Sequence, residues 1–100
     1  MDPEKPDIKI SDLVISVRGR DQGELFYVIG REEEYLLLAN GKNRTLEAPK
    51  RKKQKHVEKV LRSETRVAAK LHSGDKVLNG ELRRDVAFLS RGMQANDLGG

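Results

Sequence analysis

Apolar residues in the first half of the chain recur with a period near two, in short runs separated by glycine-bearing turns. Leu13-Val14-Ile15-Ser16-Val17 predicts a first strand. Glu24-Leu25-Phe26-Tyr27-Val28-Ile29 predicts a second, rich in the aromatic and β-branched residues that suit a pleated surface. Between them, Arg18-Gly19-Arg20-Asp21-Gln22-Gly23 reads as a turn, since both glycines accept positive φ without a Cβ clash. Gly30-Arg31-Glu32-Glu33 is expected to turn the chain again, ahead of a third strand from Glu34 to Ala39. Its Leu36-Leu37-Leu38 run is short and flanked by glycine signals, which argues against a buried helical turn. Asn40-Gly41 is a hairpin signal, and a short fourth strand is expected near Arg44-Thr45-Leu46-Glu47 before Pro49 interrupts the ladder.

The second half changes character. Lys50-Arg51-Lys52-Lys53-Gln54-Lys55-His56 is expected as a basic arm, followed by a closing strand in His56–Leu61 with Val57 and Leu61 packing inward. Thr65 to Leu71 predicts a short helix or turn stopped by Ser73-Gly74. Asn79 reads as the N-cap of a C-terminal helix near 80–90, with Leu82, Val86 and Leu89 at i, i+4 and i+7, Phe88 beside them and Gly92 as the stop. Residues 1–10 and 93–100 are expected as flexible tails. Several short strands joined by tight turns in under fifty residues point to a mainly β fold built on a small barrel. The expected organisation is a barrel over 11–61, with the basic arm at 50–56, and a C-terminal extension over 62–92.

One hundred residues suit a single domain. With no cysteine, neither disulfides nor a cysteine-ligated metal can hold the fold, which fits a reducing compartment. No apolar run approaches the roughly 20 residues of a membrane helix, and Met1-Asp2-Pro3-Glu4-Lys5-Pro6-Asp7 lacks the apolar stretch of a signal peptide. A cytoplasmic protein is expected. The net charge is only +4, but its placement is uneven. Residues 1–49 hold seven Lys/Arg against ten Asp/Glu, whereas 50–70 alone hold nine bases against Glu58 and Glu64. Concentrated cations suit a polyanion, because several together release condensed counterions from phosphates. The plainer alternative is a solvated charged face with no partner.

The segment Gly19-Arg20-Asp21-Gln22-Gly23-Glu24-Leu25-Phe26-Tyr27-Val28, entered from the strand Leu13–Val17, resembles the KOW motif: a strand, a Gly-x-Asp-x-Gly turn and a second strand. The likeness runs from about Leu13 to His56 and includes Glu32-Glu33-Glu34-Tyr35, Ala39-Asn40-Gly41 and the basic run. It is similar to small bacterial KOW-domain proteins related to KOW-bearing large-subunit ribosomal proteins. The resemblance implies an SH3-like barrel that binds RNA, by inference ribosomal RNA, and acts in translation or ribosome assembly. Two positions depart from the pattern. Gln22 stands where a lysine is common, and Phe26 where many KOW sequences have glycine. The expected weight of contact therefore moves to the arm.

The candidate RNA-binding residues are Arg18, Gly19, Arg20, Asp21, Gly23, Lys42, Arg44, Lys50, Arg51, Lys52, Lys53, Lys55 and His56. Phe26 and Phe88 read as core, while Tyr27 and Tyr35 are the better base-stacking candidates. So few aromatics favour recognition of shape and phosphate. His56 and His72 are isolated, the acidic Glu32–Glu34 turn reads as solvated, and no nucleophile has an identifiable base, so no enzyme, cofactor or metal site is expected. Gly19–Gly23 leads into a strand and is therefore not a phosphate loop opening a helix. A monomer is expected when the protein is free. The rival readings are a protein-interaction barrel that leaves the arm in solvent, and a transcription-associated KOW module.

Overall fold

The computed structural model describes residues 7–99, and side chains as far as Gly92. The strands are β1 (Asp12–Ser16), β2 (Leu25–Glu32), β3 (Tyr35–Ala39), β4 (Lys50–Lys53) and β5 (Val57–Arg62). A 3-10 turn at Gln54–His56 joins β4 to β5, and helices α1 (Arg66–Ser73) and α2 (Asn79–Gly99) follow. The strands form one antiparallel sheet in the order β4-β3-β2-β1-β5, a mainly β architecture compatible with a small barrel.

Both faces of this sheet are covered, which explains why its strands read as nearly unbroken apolar runs. On one face Val14, Phe26, Val28, Leu36, Leu38 and Val57 pack with Ile8. On the other, Leu13, Tyr27 and Ala39 lie beneath Ala68 of α1 and Leu82 of α2. Successive strand residues point to opposite faces, so Leu13-Val14, Phe26-Tyr27 and Leu38-Ala39 each divide between the two clusters. Fully burying a side chain such as Phe26 or Leu82 contributes about 1.5–3 kcal/mol. The α2 stripe follows this logic: Leu82 is fully buried and Val86 and Leu89 pack behind it.

Several expectations need correction. The run Lys50–Lys53 is no arm. It is β4, paired with β3 through Leu38↔Lys50, Leu37↔Arg51, Leu36↔Lys52 and Tyr35↔Lys53. Lysine-rich sequence is a common guard on an exposed sheet edge, so charge alone does not distinguish such a strand from solvated coil. The fourth strand expected near 44–47 is instead part of a loop over 40–49, and Asn40-Gly41 opens that loop rather than a tight hairpin. The tight hairpin is two residues long, at Glu33-Glu34, where Glu33 takes φ 57° and Glu32 pairs with Tyr35. Gly30, Arg31 and Glu32 accordingly belong to β2. The closing strand is present as β5, paired with β1, and Val57 is buried.

At the C-terminal side, Thr65 caps α1 by accepting a hydrogen bond from the Ala68 N–H, and the helix ends at Gly74. Asn79 does not cap α2. The Leu82 N–H donates to the Leu78 carbonyl, so Leu78 holds the capping position, and Glu81 accepts from the Leu78 N–H at 3.2 Å. Gly92 does not end α2, which continues to Gly99. A single interior glycine costs about 1 kcal/mol relative to alanine, and Met93-Gln94-Ala95 after it favour helix. Of the expected N-terminal tail, residues 1–6 lie outside the described residues and Ile8 is a core residue. Of the C-terminal tail, Gly100 lies outside them.

Candidate nucleic-acid interface

The turn between β1 and β2 is built by its glycines. Gly19 (φ 90°) and Gly23 (φ 92°) both occupy the left-handed region, where a Cβ is strained. The Gly23 N–H donates to the Ser16 carbonyl at 2.8 Å and the Glu24 N–H to the Asp21 carbonyl at 2.9 Å. Asp21 does not cap backbone N–H groups with its side chain. Its Oδ1 accepts from Ser16 Oγ at 2.8 Å and from Lys52 Nζ at 2.7 Å. Lys52 Nζ also donates to the Arg18 carbonyl at 2.7 Å. A Cβ on Gly19 would lie 3.2 Å from that ammonium, so Gly19 is where the turn admits Lys52.

Lys52 reaches the turn because strand alternation aims it inward beside Leu36, while Arg51 and Lys53 face outward. The Lys52 and Asp21 side chains are only 9% and 11% exposed. Burial pushes the Asp21 carboxyl up, but hydrogen bonds from Lys52 and Ser16, with the Lys52 and Lys50 charges, outweigh it and hold the group below its ordinary value. Lys52 and Asp21 are therefore internal cement rather than contact residues.

The outward cations gather around His56. Its imidazole is held below its ordinary pKa by desolvation and by the positive charges of Arg18, Lys55, Lys52 and Lys53. The Val17 N–H donates to the His56 carbonyl at 3.0 Å, fixing the 3-10 turn against the end of β1 next to Arg18. Arg51 lies over the Tyr35 ring, 3.8 Å from its centroid, with Lys53 at 5.9 Å, and its Nε donates to Glu32 at 2.9 Å. The Glu32–Glu34 turn thus lends one carboxylate to the basic strand. Gly23 and Arg20 are exposed on the turn.

Lys42 and Arg44 are not part of the His56 cluster. Both lie in the 40–49 loop, which packs on α2 through Gly41: a Cβ there would lie 2.8 Å from the Arg83 N atom and closer still to the Asn79 carbonyl oxygen. Asn79 Oδ1 accepts from the Leu46 N–H at 2.8 Å, and its Nδ2 donates to Glu47. Lys42 lines a groove with Gly23, Arg83 and Arg84. These two arginines were missed by the sequence reading, although the inward phase of Leu82 and Val86 already places 83 and 84 on the outer side of α2.

Two aromatic assignments are reversed. Tyr27 is fully buried, and its hydroxyl bonds Asp85 and Ser63, the latter at 2.6 Å, so it offers no stacking surface. Phe88, expected in the core, is 59% exposed, because it falls outside the stripe that Leu82, Val86 and Leu89 turn inward. Phe26 is buried as expected. No protein-family model matches the sequence, and no curated protein matches it.

Proposed function

We propose that this protein is a non-enzymatic RNA-binding module with a KOW-type, SH3-like barrel, acting in the cytoplasm at the ribosome in translation or ribosome assembly. The observation that supports this best is the joining of the glycine turn to the basic strand. Lys52, bound to both Asp21 and the Arg18 carbonyl, ties the two together beside the Arg18, Lys53, Lys55 and His56 cluster. Cations brought together where the end of β4, the 3-10 turn and the start of the glycine turn meet suit the closely spaced phosphates of a structured RNA. Such contacts position a protein without specifying sequence, so shape rather than base identity selects the target. Tyr35 carries Arg51 over its ring at the margin of the patch, which holds that guanidinium in place.

The test is fluorescence anisotropy with a structured ribosomal RNA fragment across a salt series. Replacing Lys50, Arg51 and Lys53 with Gln, and leaving Lys52 in place for the fold, is expected to weaken binding and flatten its salt dependence by about one unit of slope per lost phosphate contact. An unchanged slope would remove β4 as the contact surface. Comigration with polymerase rather than ribosomal subunits on a gradient would favour the transcription-associated reading.

A further inference from the structure

The glycine turn has a second flank. Between it and α2 lies a groove of about 580 Å³, whose lining includes Gly23, Leu25, Lys42, Arg83, Arg84 and Val86. Its floor is apolar: Leu25 and Val86 pack on the core beneath α2, and Ala87 extends the surface. Its rim is basic, with Lys42, Arg83 and Arg84 all exposed. Glu24 also lines it, but its Oε1 accepts from Asn43 Nδ2 at 3.2 Å, turned toward the loop. The groove is held open by fixed backbone. Asn40 Oδ1 accepts from the Lys42 and Arg44 N–H groups at 3.0 and 3.1 Å, and Gly41 seats the loop on α2.

We propose that this groove binds a single-stranded RNA segment flanking the structured element held by the β4 face, an inference that rests on the RNA-binding reading above. An apolar floor under a basic rim matches the two sides of a nucleotide, with phosphates on Lys42, Arg83 and Arg84 and a base or ribose face on Leu25, Val86 and Ala87. Continuity supports the same occupant. Gly23 lines the groove, while Gly19, at the other end of the same turn, meets Lys52 of the basic strand. A strand leaving the β4 face over the turn, where Gly23 has open space above its Cα, enters the groove directly. The site therefore spans both flanks of the turn, and α2 serves as a binding element as well as a cover for the sheet.

The test compares a blunt RNA hairpin with the same hairpin carrying a single-stranded extension of about four nucleotides, as the smallest OB-fold sites accommodate. The full chain is expected to bind the extended hairpin more tightly and with a steeper salt slope. R83Q/R84Q should keep the blunt-hairpin affinity and lose the gain, with its salt slope on the extended RNA falling by about 1.4 for two single-strand phosphate contacts. K42Q, far from the α2 surface in sequence, should lose part of the same gain. No gain from the extension in the full chain, or an equal gain in R83Q/R84Q, would overturn the groove assignment while leaving hairpin binding intact. Failure of the full chain to bind the blunt hairpin would overturn the RNA reading itself. If a poly-glutamate peptide of matched charge competes as well for the extension as unlabelled RNA does, the groove belongs to an acidic protein segment instead.

Discussion

Lys52 Nζ lies 2.7 Å from Asp21 Oδ1, and this pair joins the β1–β2 turn to the inward side of the edge strand β4. The same ammonium holds the Arg18 carbonyl, so one side chain satisfies two acceptors on the turn. Asp21 Oδ2 is buried with no partner among the described residues, so the carboxylate depends heavily on what reaches Oδ1.

Lys52→Met should therefore cost about 3–5 kcal/mol in urea unfolding, the usual penalty when one member of a buried ion pair is removed. Replacing both members by apolar residues of similar volume should restore much of that loss. A double variant destabilised by the sum of the two single-variant losses would show that the pair is not coupled.

The Asp21 carboxyl also predicts an acid limb. Its folded pKa lies below the unfolded value of 3.8. The charged form is thus favoured by folding, and the stabilisation is fully present above that value and lost as pH falls through the folded pKa. Asp21→Asn, already weaker at neutral pH, should show a shallower loss of stability than the parent on acidification below about pH 4, followed by circular dichroism.

Tyr27, Ser63, Thr65 and Asp85 form a polar knot where α2 crosses the sheet. The Tyr27 hydroxyl donates to Asp85, and Thr65 Oγ1 donates to the same Asp85 oxygen at 2.7 Å. Burial, and then the Asp85 carboxylate, push the Tyr27 phenol up from 10.0 to about 12. The neutral phenol's contribution to stability is fully present below about pH 10 and lost as pH rises toward about 12. Tyr27→Phe should cost about 1.5–3 kcal/mol, since the lost bond has a charged acceptor. An ultraviolet titration of the parent should show one tyrosine resisting ionisation until about pH 12.

Gly41→Ala should detach the 40–49 loop from α2. The added Cβ meets backbone atoms of Asn79 and Arg83, which cannot swing aside as a side chain does, and it sits at φ 77°. Left-handed strain costs roughly 1–2 kcal/mol, and overpacking roughly 1–3 kcal/mol more. Hydrogen exchange should show faster exchange of the Leu46 N–H, whose acceptor is Asn79.

RNA binding should strengthen as pH falls from about 7.5 to about 5.5, the range in which histidine gains its charge. His56 is held below its ordinary pKa by desolvation and by Arg18, Lys55, Lys52 and Lys53, and phosphates beside it would offset those charges. Its pKa should therefore rise on complex formation, with proton uptake that NMR of the imidazole can follow. His56→Gln should lose this pH dependence while retaining affinity at pH about 7.5. An unmoved His56 resonance would place the RNA elsewhere.

What the sequence determined was whatever rests on local chemistry. Leu13–Val17, Leu25–Ile29 and Tyr35–Ala39 are short apolar runs of high β-propensity bounded by turn signals, and Gly19 and Gly23 are where the chain can reverse. Thr65 and Gly74 bound α1, and Leu82, Val86 and Leu89 give α2 its inward stripe. The density of cations in 50–56 is equally direct. Where those cations point is a matter of strand pairing. A run of Lys and Arg has no hydrophobic period, so nothing local distinguishes an arm from an edge strand. Pairing with β3 sets the register, and a register of period two sends Lys52 inward to Asp21 while Arg51 and Lys53 stay outside. The same holds for Tyr27 and Phe88, two aromatic side chains whose burial no local pattern sets: the more polar of the two is the one inside. The crossing of α2 over the sheet buries one beside Asp85 and leaves the other in solvent.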